Sequence, residues 1–508
     1  MRATGPQSKS SMVNWNNLLK RYLLGSFLLL GLVAGAHVAS ANPSGEGSDY
    51  KAKGDGKSKP KDTSPLTHTK EPNQGGDQIT QKNNPTAHTE YLIEREQISV
   101  PGNPGADNVI FGTGWLGRQL GLSESSGVRL GGLWVGNADI QMSGRMPGSA
   151  SFNSLGIIDV LLDMNKIAGI EGGSFAATFL QFDGQDSNGR AGVMTGYNGL
   201  TEQAPLNRSE LYELWWRQVL LDNKLTIRAG KSVPTFDFNN VSRRLPIPDE
   251  KPYVAAVSGL LFTPIFVNPS ILGVMPGYYN SAWGLTLSAT PTENTYLTYG
   301  AYDGSLGLNR QTGIHAGPIF DSYFTIGEAG FSWGGDRPGK FAVGGWGQGG
   351  DMTSVLPNAT TGSRLTQNGA QGIYSTATNR LLDFTHEAGT GVVLGYLQYG
   401  INNSRTMIAN QFVGGGVTGI GIVPFRPRDS AGMGIGVSWL NEPPLERSNS
   451  TEILTQFYYQ AHLIGDIYFQ PTFTYVPNPG AHDKTPPSGC QASCPSMTSM
   501  IFQIVALF

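Results

Sequence analysis

The carboxyl-terminal stretch Thr498–Phe508, which reads TSMIFQIVALF, decides the fold class of this chain. Side chains alternate between the two faces of a β-strand, and one face of this stretch carries only apolar residues, namely Met500, Phe502, Ile504, Ala506 and Phe508. The last strand of an outer-membrane barrel needs such a face toward lipid, whereas a terminus in water frays. A buried terminal strand of a soluble sandwich would alternate in the same way, so the rest of the chain must distinguish the two.

The composition favours one large closed barrel over several soluble domains. The chain has 508 residues, of which 69 are glycine and 10% are aromatic, while only 14% are charged. Glycine is expected where strands curve and pack closely. The net charge of −3 and the lack of a basic stripe in the strand-rich part argue against a nucleic-acid partner.

The amino-terminal segment has the features of an export signal. Lys20 and Arg21 precede the apolar run 22–36, and Ala39-Ser40-Ala41 supplies a small-x-small cleavage site. Residues 1–41 are therefore predicted to be a signal peptide, with an uncleaved membrane anchor as the alternative. After Ala41 no run approaches the roughly 20 apolar residues of a spanning helix, so a membrane form of this protein must be a barrel.

Residues 42–111 are polar and of low complexity, with almost no aromatic side chains, and they are predicted to form a disordered periplasmic arm. A flexible spacer is the simplest role for this arm. Cys490 and Cys494 are the only cysteines, and an oxidising compartment favours a disulfide between them over free thiols. Two thiols with only His482 nearby do not complete a zinc site, so no metal site is predicted.

Residues 112–508 are predicted to form an all-β, transmembrane antiparallel barrel. Short alternating segments follow one another, and at roughly 25 residues per strand and connection this length holds about 16 strands. In Ser209–Leu221 the alternation places Tyr212 on the lipid face and Glu213 toward the lumen. The segments Pro477–Met497 and Asp351–Tyr374 are predicted to be long external connections.

A pore needs a constriction whose side chains replace part of a sugar's hydration shell and still release the sugar. Alternation and strand ends give the candidates, which are Asp159, Asp163, Glu213, Arg217, Arg228, Glu328, Arg426, Asp429, Glu452 and Gln456, with Arg428 and Gln470 beside them. Ion pairs that brace the barrel wall are the alternative role for these residues. Trp134, Trp215 and Trp346 would form either a stacking track or part of the interfacial girdle.

No enzymatic motif accompanies these side chains. The sequence has neither a Gly-x-Ser-x-Gly elbow nor a His-Glu-x-x-His helix, and its histidines lie in no recognisable Ser or Asp constellation. The chain is therefore predicted not to be an enzyme and to carry no cofactor.

Several segments, in sequence order, resemble the OprB family of carbohydrate-selective porins. The segments are Leu211–Leu221 (LYELWWRQVLL), Leu225–Phe238 (LTIRAGKSVPTFDF), Asn280–Gly304 (NSAWGLTLSATPTENTYLTYGAYDG), Ile326–Phe331 (IGEAGF), Phe425–Val437 (FRPRDSAGMGIGV) and Phe469–Gly480 (FQPTFTYVPNPG). The resemblance implies a monomeric 16-stranded barrel in outer-membrane lipid that passes small sugars by passive diffusion. Phe508 resembles the terminal signal that the barrel-insertion machinery reads. A general or ion-preferring porin and an envelope-anchoring barrel remain the alternatives.

Overall fold

The structure of the chain is a computed structural model in which sixteen antiparallel strands close into one barrel, with β1 paired to β16. It describes residues 115–122, 126–200, 208–222, 224–241, 268–277, 280–292, 294–310, 320–334, 337, 339–354, 363–386, 389–426, 429–441, 449–464, 467–481 and 495–508. The predicted signal peptide (1–41), the predicted arm (42–111), Arg428 and the cysteine pair lie outside these residues. The predicted fold class and strand number are confirmed.

The strands follow one another along the chain, and each pairs with its neighbours in sequence. They are β1 (Val128–Ser143), β2 (Ala150–Asp163), β3 (Gly173–Asp183), β4 (Arg208–Leu220), β5 (Leu225–Ser232), β6 (Ala282–Thr292), β7 (Thr295–Asp303), β8 (Tyr323–Trp333), β9 (Gly339–Thr353), β10 (Thr366–His386), β11 (Gly389–Asn402), β12 (Ala409–Ile420), β13 (Ser430–Leu440), β14 (Thr451–Ile464), β15 (Ile467–Val476) and β16 (Met497–Leu507).

Helices are short and few within the described part of the chain. They are α1 (Trp115–Gln119), α2 (Met164–Ala168) and α3 (Ser187–Ala191), with 3-10 turns at Pro234–Phe236 and Ser305–Leu308. None of the helices among the described residues has the length and apolar character to cross a membrane.

The side chains of β16 confirm the alternation predicted from its sequence. Phe502 and Ile504 are 36% and 43% exposed on the outer surface, whereas Ser499 and Gln503 face the barrel interior and are buried. Other strands show the same outward exposure of large apolar side chains, as at Phe152 on β2 and Leu397 on β11. An outward apolar band of this kind is what a barrel presents to lipid.

The barrel closes through the last residue of the chain. The Gly132 N–H donates to the Phe508 carbonyl at 2.8 Å, and the Phe508 N–H donates to the Gly132 carbonyl at 3.0 Å. A Cβ atom on Gly132 would lie 2.8 Å from the Phe508 ring and 2.2 Å from the Ile157 carbonyl oxygen. Glycine is therefore required here, because only a residue without a side chain lets the backbone and the ring approach this closely.

Two details differ from the prediction. Tyr212 is buried on the inner face beside Glu213, because a β-bulge in β4 inserts Tyr212 between Leu211, the partner of Phe179, and Glu213, the partner of Thr178, and so shifts the alternation. The predicted long connection Asp351–Tyr374 is wrong in its bounds, since β9 extends to Thr353 and β10 begins at Thr366. The ladder between these two strands continues past the polar sequence that suggested a loop.

The two ends of the barrel differ in their connections. One end of the barrel, which we call the turn end, holds the start of β1 and the end of β16. Its connections are 164–172, 221–224, 293–294, 334–338, 387–388, 421–429 and 465–466. The other end, the loop end, has the connections 144–149, 184–207, 233–281, 304–322, 354–365, 403–408, 441–450 and 477–496. In outer-membrane barrels the short turns face the periplasm and the long loops face outward, which assigns the loop end to the outside.

Two long connections fold back into the barrel. The first inward loop is residues 184–200 of the connection between β3 and β4, and its Val193 and Tyr197 cluster with inner-wall residues such as Leu454 and Tyr458. The second inward loop is residues 233–241 and 268–277 of the connection between β5 and β6, and its Phe238 clusters with inner-wall residues of β7 to β10. External loops in water rarely bury such apolar side chains. These loops therefore narrow the lumen from two sides.

Candidate pore lining

The structure separates the ten predicted lumen residues into three groups. At the turn end lie Asp163, Arg426 and Asp429. Three inward side chains hold the two inward loops or neighbouring strands, and they are Glu328, Glu452 and Gln456. The remaining four, Asp159, Glu213, Arg217 and Arg228, share the inner face of four consecutive strands, β2 to β5.

The turn-end group makes local contacts. Asp163 caps α2 by accepting from the N–H groups of Asn165 at 3.0 Å and Lys166 at 3.3 Å. Asp429 accepts from Arg426 Nε at 2.7 Å, from the Tyr459 hydroxyl and from the His462 N–H at 2.9 Å. Burial alone would raise the pKa of Asp429, but these three donors outweigh it and lower the pKa below its ordinary value.

Glu328 fixes the second inward loop to the wall. Its carboxylate accepts from the Tyr296 hydroxyl at 2.5 Å, the Tyr374 hydroxyl at 2.7 Å and the Asn239 N–H at 2.7 Å. Both tyrosine rings lie over glycines of adjacent strands: a Cβ on Gly330 would come within 2.1 Å of the Tyr296 ring, and Gly344 has the same relation to Tyr374. Glycine on one strand thus makes room for the ring of the next.

Two further inner-wall residues hold the loop segment that follows. Lys340 Nζ donates to the Asn240 carbonyl at 2.8 Å, and the Thr378 hydroxyl donates to the Val241 carbonyl at 2.9 Å. Strands β8, β9 and β10 therefore each form a hydrogen bond to one of three consecutive loop residues, Asn239, Asn240 and Val241. Neither Lys340 nor Thr378 was predicted from the sequence, because alternation does not reveal which connection folds inward.

The first inward loop is fixed to the opposite wall. Glu452 accepts from the N–H groups of Met194 at 2.9 Å and Thr195 at 2.7 Å, and Gln456 Nε2 donates to the Tyr197 carbonyl at 2.8 Å. The Tyr197 hydroxyl donates to Asp139 at 2.5 Å. Burial and the adjacent Asp139 carboxylate raise the pKa of Tyr197 well above its usual value. One sequence feature could have identified this loop as inward-folding: its connection carries the apolar residues Val193, Tyr197 and Leu200.

The four remaining charges form two rows on one wall, which we call the charged wall. In the acidic row Asp159 and Glu213 are both in register with Thr178, which lies between them. In the basic row Arg217 and Arg228 are direct cross-strand partners. The rows are four residues apart along β4, which is roughly 13 Å. Because β4 runs from the loop end to the turn end, the acidic row lies nearer the outside and the basic row nearer the periplasm.

Trp215 lies between the two rows and organises the basic one. The guanidinium carbons of Arg217 and Arg228 are each 5.7 Å from its ring centroid, a distance at which cation–π attraction operates. Arg217 Nε also donates to the Ser174 hydroxyl at 3.2 Å, and Arg228 forms an ion pair with Asp237 of the second inward loop. The other tryptophans do not join it in a track, since Trp134 faces outward and Trp346 packs on Phe324.

Asp159 differs from the other carboxylates of the barrel interior. Its side chain is fully buried, and among the described residues no group donates to either of its oxygens. A buried acceptor without a donor is costly to a fold unless something else satisfies it. Among the described residues no three His, Cys, Asp or Glu side chains are grouped so that they could hold a metal ion.

The wall formed by β14, β15, β16 and β1, which we call the amide wall, has a different chemistry. Its amides pair with each other or with hydroxyls: Gln460 Nε2 donates to Gln470 at 3.1 Å, Gln456 Nε2 to Thr474 at 3.0 Å, and Asn137 Nδ2 to Gln503 at 3.2 Å. Gln470, a predicted lumen residue, belongs to this wall. These amide donors pair within the wall, while the Gln456 Oε1 atom accepts no hydrogen bond among the described residues.

Comparison with known proteins agrees with this architecture. The family model described as the OprB family of carbohydrate-selective porins matches residues 158–488. A structure of Pseudomonas putida OprB at high pH superposes with a TM-score of 0.60 at 16% identity, over 78% of this chain and 97% of that chain. OmpT of Vibrio cholerae, in its trimer form, superposes at 0.43 with 9% identity, over 75% and 99%. No curated protein matched the chain.

A closed 16-stranded barrel with an outward apolar band and a polar interior defines an outer-membrane porin, a channel that crosses the membrane many times. The chain belongs to the OprB family of carbohydrate-selective porins, and its substrates are sugars.

Proposed function

We propose that mono- and small oligosaccharides diffuse passively along the charged wall, in the space that the two inward loops leave. The observation that carries this proposal is the order of acidic and basic side chains along the inner face of β4, where Glu213 lies outside Arg217 and its cross-strand partner Arg228. No catalytic step and no cofactor is involved, because diffusion needs only weak, reversible binding.

Two rows of opposite sign favour neutral polyols over ions. An anion is attracted by the basic row and repelled by the acidic row. A cation is attracted by the acidic row and repelled by the basic row. A sugar hydroxyl can donate to a carboxylate and accept from a guanidinium, so it gains hydrogen bonds to charged groups at both rows. The same wall therefore replaces the hydration shell of a sugar and resists passage of either kind of ion.

We further propose that one barrel is the working unit in lipid and that the barrel-insertion machinery reads Phe508. Large apolar side chains are exposed on strands around the barrel, among them Phe152 on β2, Tyr299 on β7 and Phe457 on β14. Lipid on every side of a single barrel would cover these side chains.

The test is single-channel conductance of the purified protein in a planar bilayer, with glucose and a disaccharide titrated against the ion current. Saturable block by sugar is expected. Arg217→Gln and Arg228→Gln should each weaken the block about tenfold, since a hydrogen bond to a charged group contributes ~1.5–3 kcal/mol. Arg426→Gln, which changes an arginine at the turn end, is the matched control and should leave the block unchanged.

Other outcomes would assign the barrel differently. Conductance without sugar block would make it a general porin, and the charged wall would then lose its role in binding. A barrel that inserts and carries no current would favour the envelope-anchoring alternative, which deletion of residues 42–111 would test by release of the envelope.

A further inference from the structure

We propose that Glu452 is a positioning residue that sets the width of the pore by joining the first inward loop to the last outer connection, 477–496. Its Oε1 accepts from the Thr195 N–H at 2.7 Å and from the Thr195 hydroxyl at 2.5 Å. Its Oε2 accepts from the Met194 N–H at 2.9 Å and from the Gly480 N–H at 2.6 Å. One carboxylate on β14 thus takes four donors from two connections that are remote in sequence.

The two connections also touch each other directly. The Ala481 N–H donates to the Gly192 carbonyl at 3.0 Å. A Cβ atom on Gly480 would lie 2.3 Å from Leu440 Cδ1, 2.9 Å from Met194 Cγ and 3.2 Å from Glu452 Oε2. The outer connection therefore begins in contact with the inward loop, at a position where a side chain would force Leu440 or Met194 to move.

The Glu452 carboxylate is the part of this contact that a neutral side chain cannot replace. Each of its oxygens receives two donors, whereas the amide of a glutamine offers one oxygen and one NH₂ group, which itself donates. In Glu452→Gln, two of the four donors would face another donor in a buried site, and the loop backbone would gain by moving to water. The passage between the loops would then widen.

This inference rests on the barrel being a pore, and it does not depend on where sugar binds. It is tested by the ion conductance in the absence of sugar, whereas the role of the charged wall is tested by sugar block. A failure of one is therefore distinguishable from a failure of the other.

The experiment compares single-channel conductance of wild type, Glu452→Gln and Gln460→Ala, with heat-modifiable gel mobility as the measure of a folded barrel. The Glu452→Gln channel should have a single-channel conductance on the order of twofold higher than wild type. Its current should also switch between conductance levels as the freed loop moves. Gln460 lies eight residues further along the same strand, where its amide donates to Gln470, and Gln460→Ala should conduct as wild type. A folded Glu452→Gln barrel with wild-type conductance would overturn the proposal.

A second set of variants covers the case in which Glu452→Gln does not fold. Thr195→Val removes one hydroxyl donor and keeps the side-chain shape. Gly480→Val introduces a side chain on the outer connection, next to Met194 and Glu452. Each should raise conductance by a smaller factor than Glu452→Gln. If Glu452 links them, the effects of the two variants combined should be strongly non-additive, because each disrupts the same contact. Independent, additive effects would show two separate contacts and contradict the coupling.

Discussion

The charged wall and the amide wall face the same lumen and differ in what their polar side chains contact. On the amide wall Gln460, Gln470 and Gln503 exchange hydrogen bonds with neighbouring side chains of the same wall. On the charged wall the carboxylate of Asp159 has no donor among the described residues, and Arg217 and Arg228 lie side by side against one indole ring.

Two arginines on adjacent strands repel each other, and here the Asp237 carboxylate and the Trp215 ring offset that repulsion. The comparison separates polar groups that hydrogen-bond within the wall from charged groups that contact an indole ring and an inward loop, and we propose that the second kind serves the passing solute. It also shows that charge alone does not mark the second kind, since Glu328 and Glu452 are charged and hold loops.

The largest effect is expected from reversing the basic row. Arg217→Glu together with Arg228→Glu would leave the charged wall uniformly acidic, so the channel should become cation-preferring and lose its sugar block. The measurement is the reversal potential in a salt gradient. The matched double variant on the amide wall, Gln460→Ala with Gln470→Ala, should keep the wild-type reversal potential, and an equal shift in both would remove the distinction between the walls.

The next effect is on stability. Trp215→Ala removes a buried ring that packs with Leu161 and Ala176 and holds both arginines, and should lower the free energy of unfolding by about 3–5 kcal/mol. Urea unfolding followed by gel mobility measures it. Trp134→Ala is the control, because that ring is 40% exposed to lipid. Comparable losses in the two variants would contradict the organising role of Trp215.

A smaller effect should depend on pH at the turn end. Because the pKa of Asp429 is lowered in the folded barrel, its contribution to stability is fully present above the ordinary value of 3.8 and is lost as the pH falls through the lowered pKa. Asp429→Asn should therefore be less stable than wild type at pH 7, by about 1–3 kcal/mol, and approach wild type in strong acid. Sugar block at pH 7 should not change. A stability difference independent of pH would point to packing instead.

The smallest effect is expected within the amide wall. Gln460→Ala removes one neutral hydrogen bond and should cost about 1 kcal/mol in unfolding free energy, with no change in conductance or block. A change in sugar block from this substitution would mean that sugars also use the amide wall, and the comparison would have to be redrawn.

The barrel itself was predictable because lipid imposes a strict alternation that survives in sequence, as the residues of β16 show. The alternation predicted Asp159, Glu213, Arg217 and Arg228 on the inner face, and the structure buries these four side chains there. It failed at Tyr212, where a bulge adds one residue to the strand. The alternation could not predict the contacts of Glu328 and Glu452, because these contacts are made with loops that return to the wall from distant parts of the chain.

The pairing of Gly132 with Phe508 also has a kinetic consequence. Residues that hydrogen-bond across this seam are separated by hundreds of positions, 366 for Asn137 and Gln503. Joining such distant segments carries a large chain-closure entropy cost and makes folding slow. Until β16 pairs with it, β1 keeps an open edge that can pair with other chains. We therefore expect the pairing of β1 with β16 to be a slow and aggregation-prone step of folding.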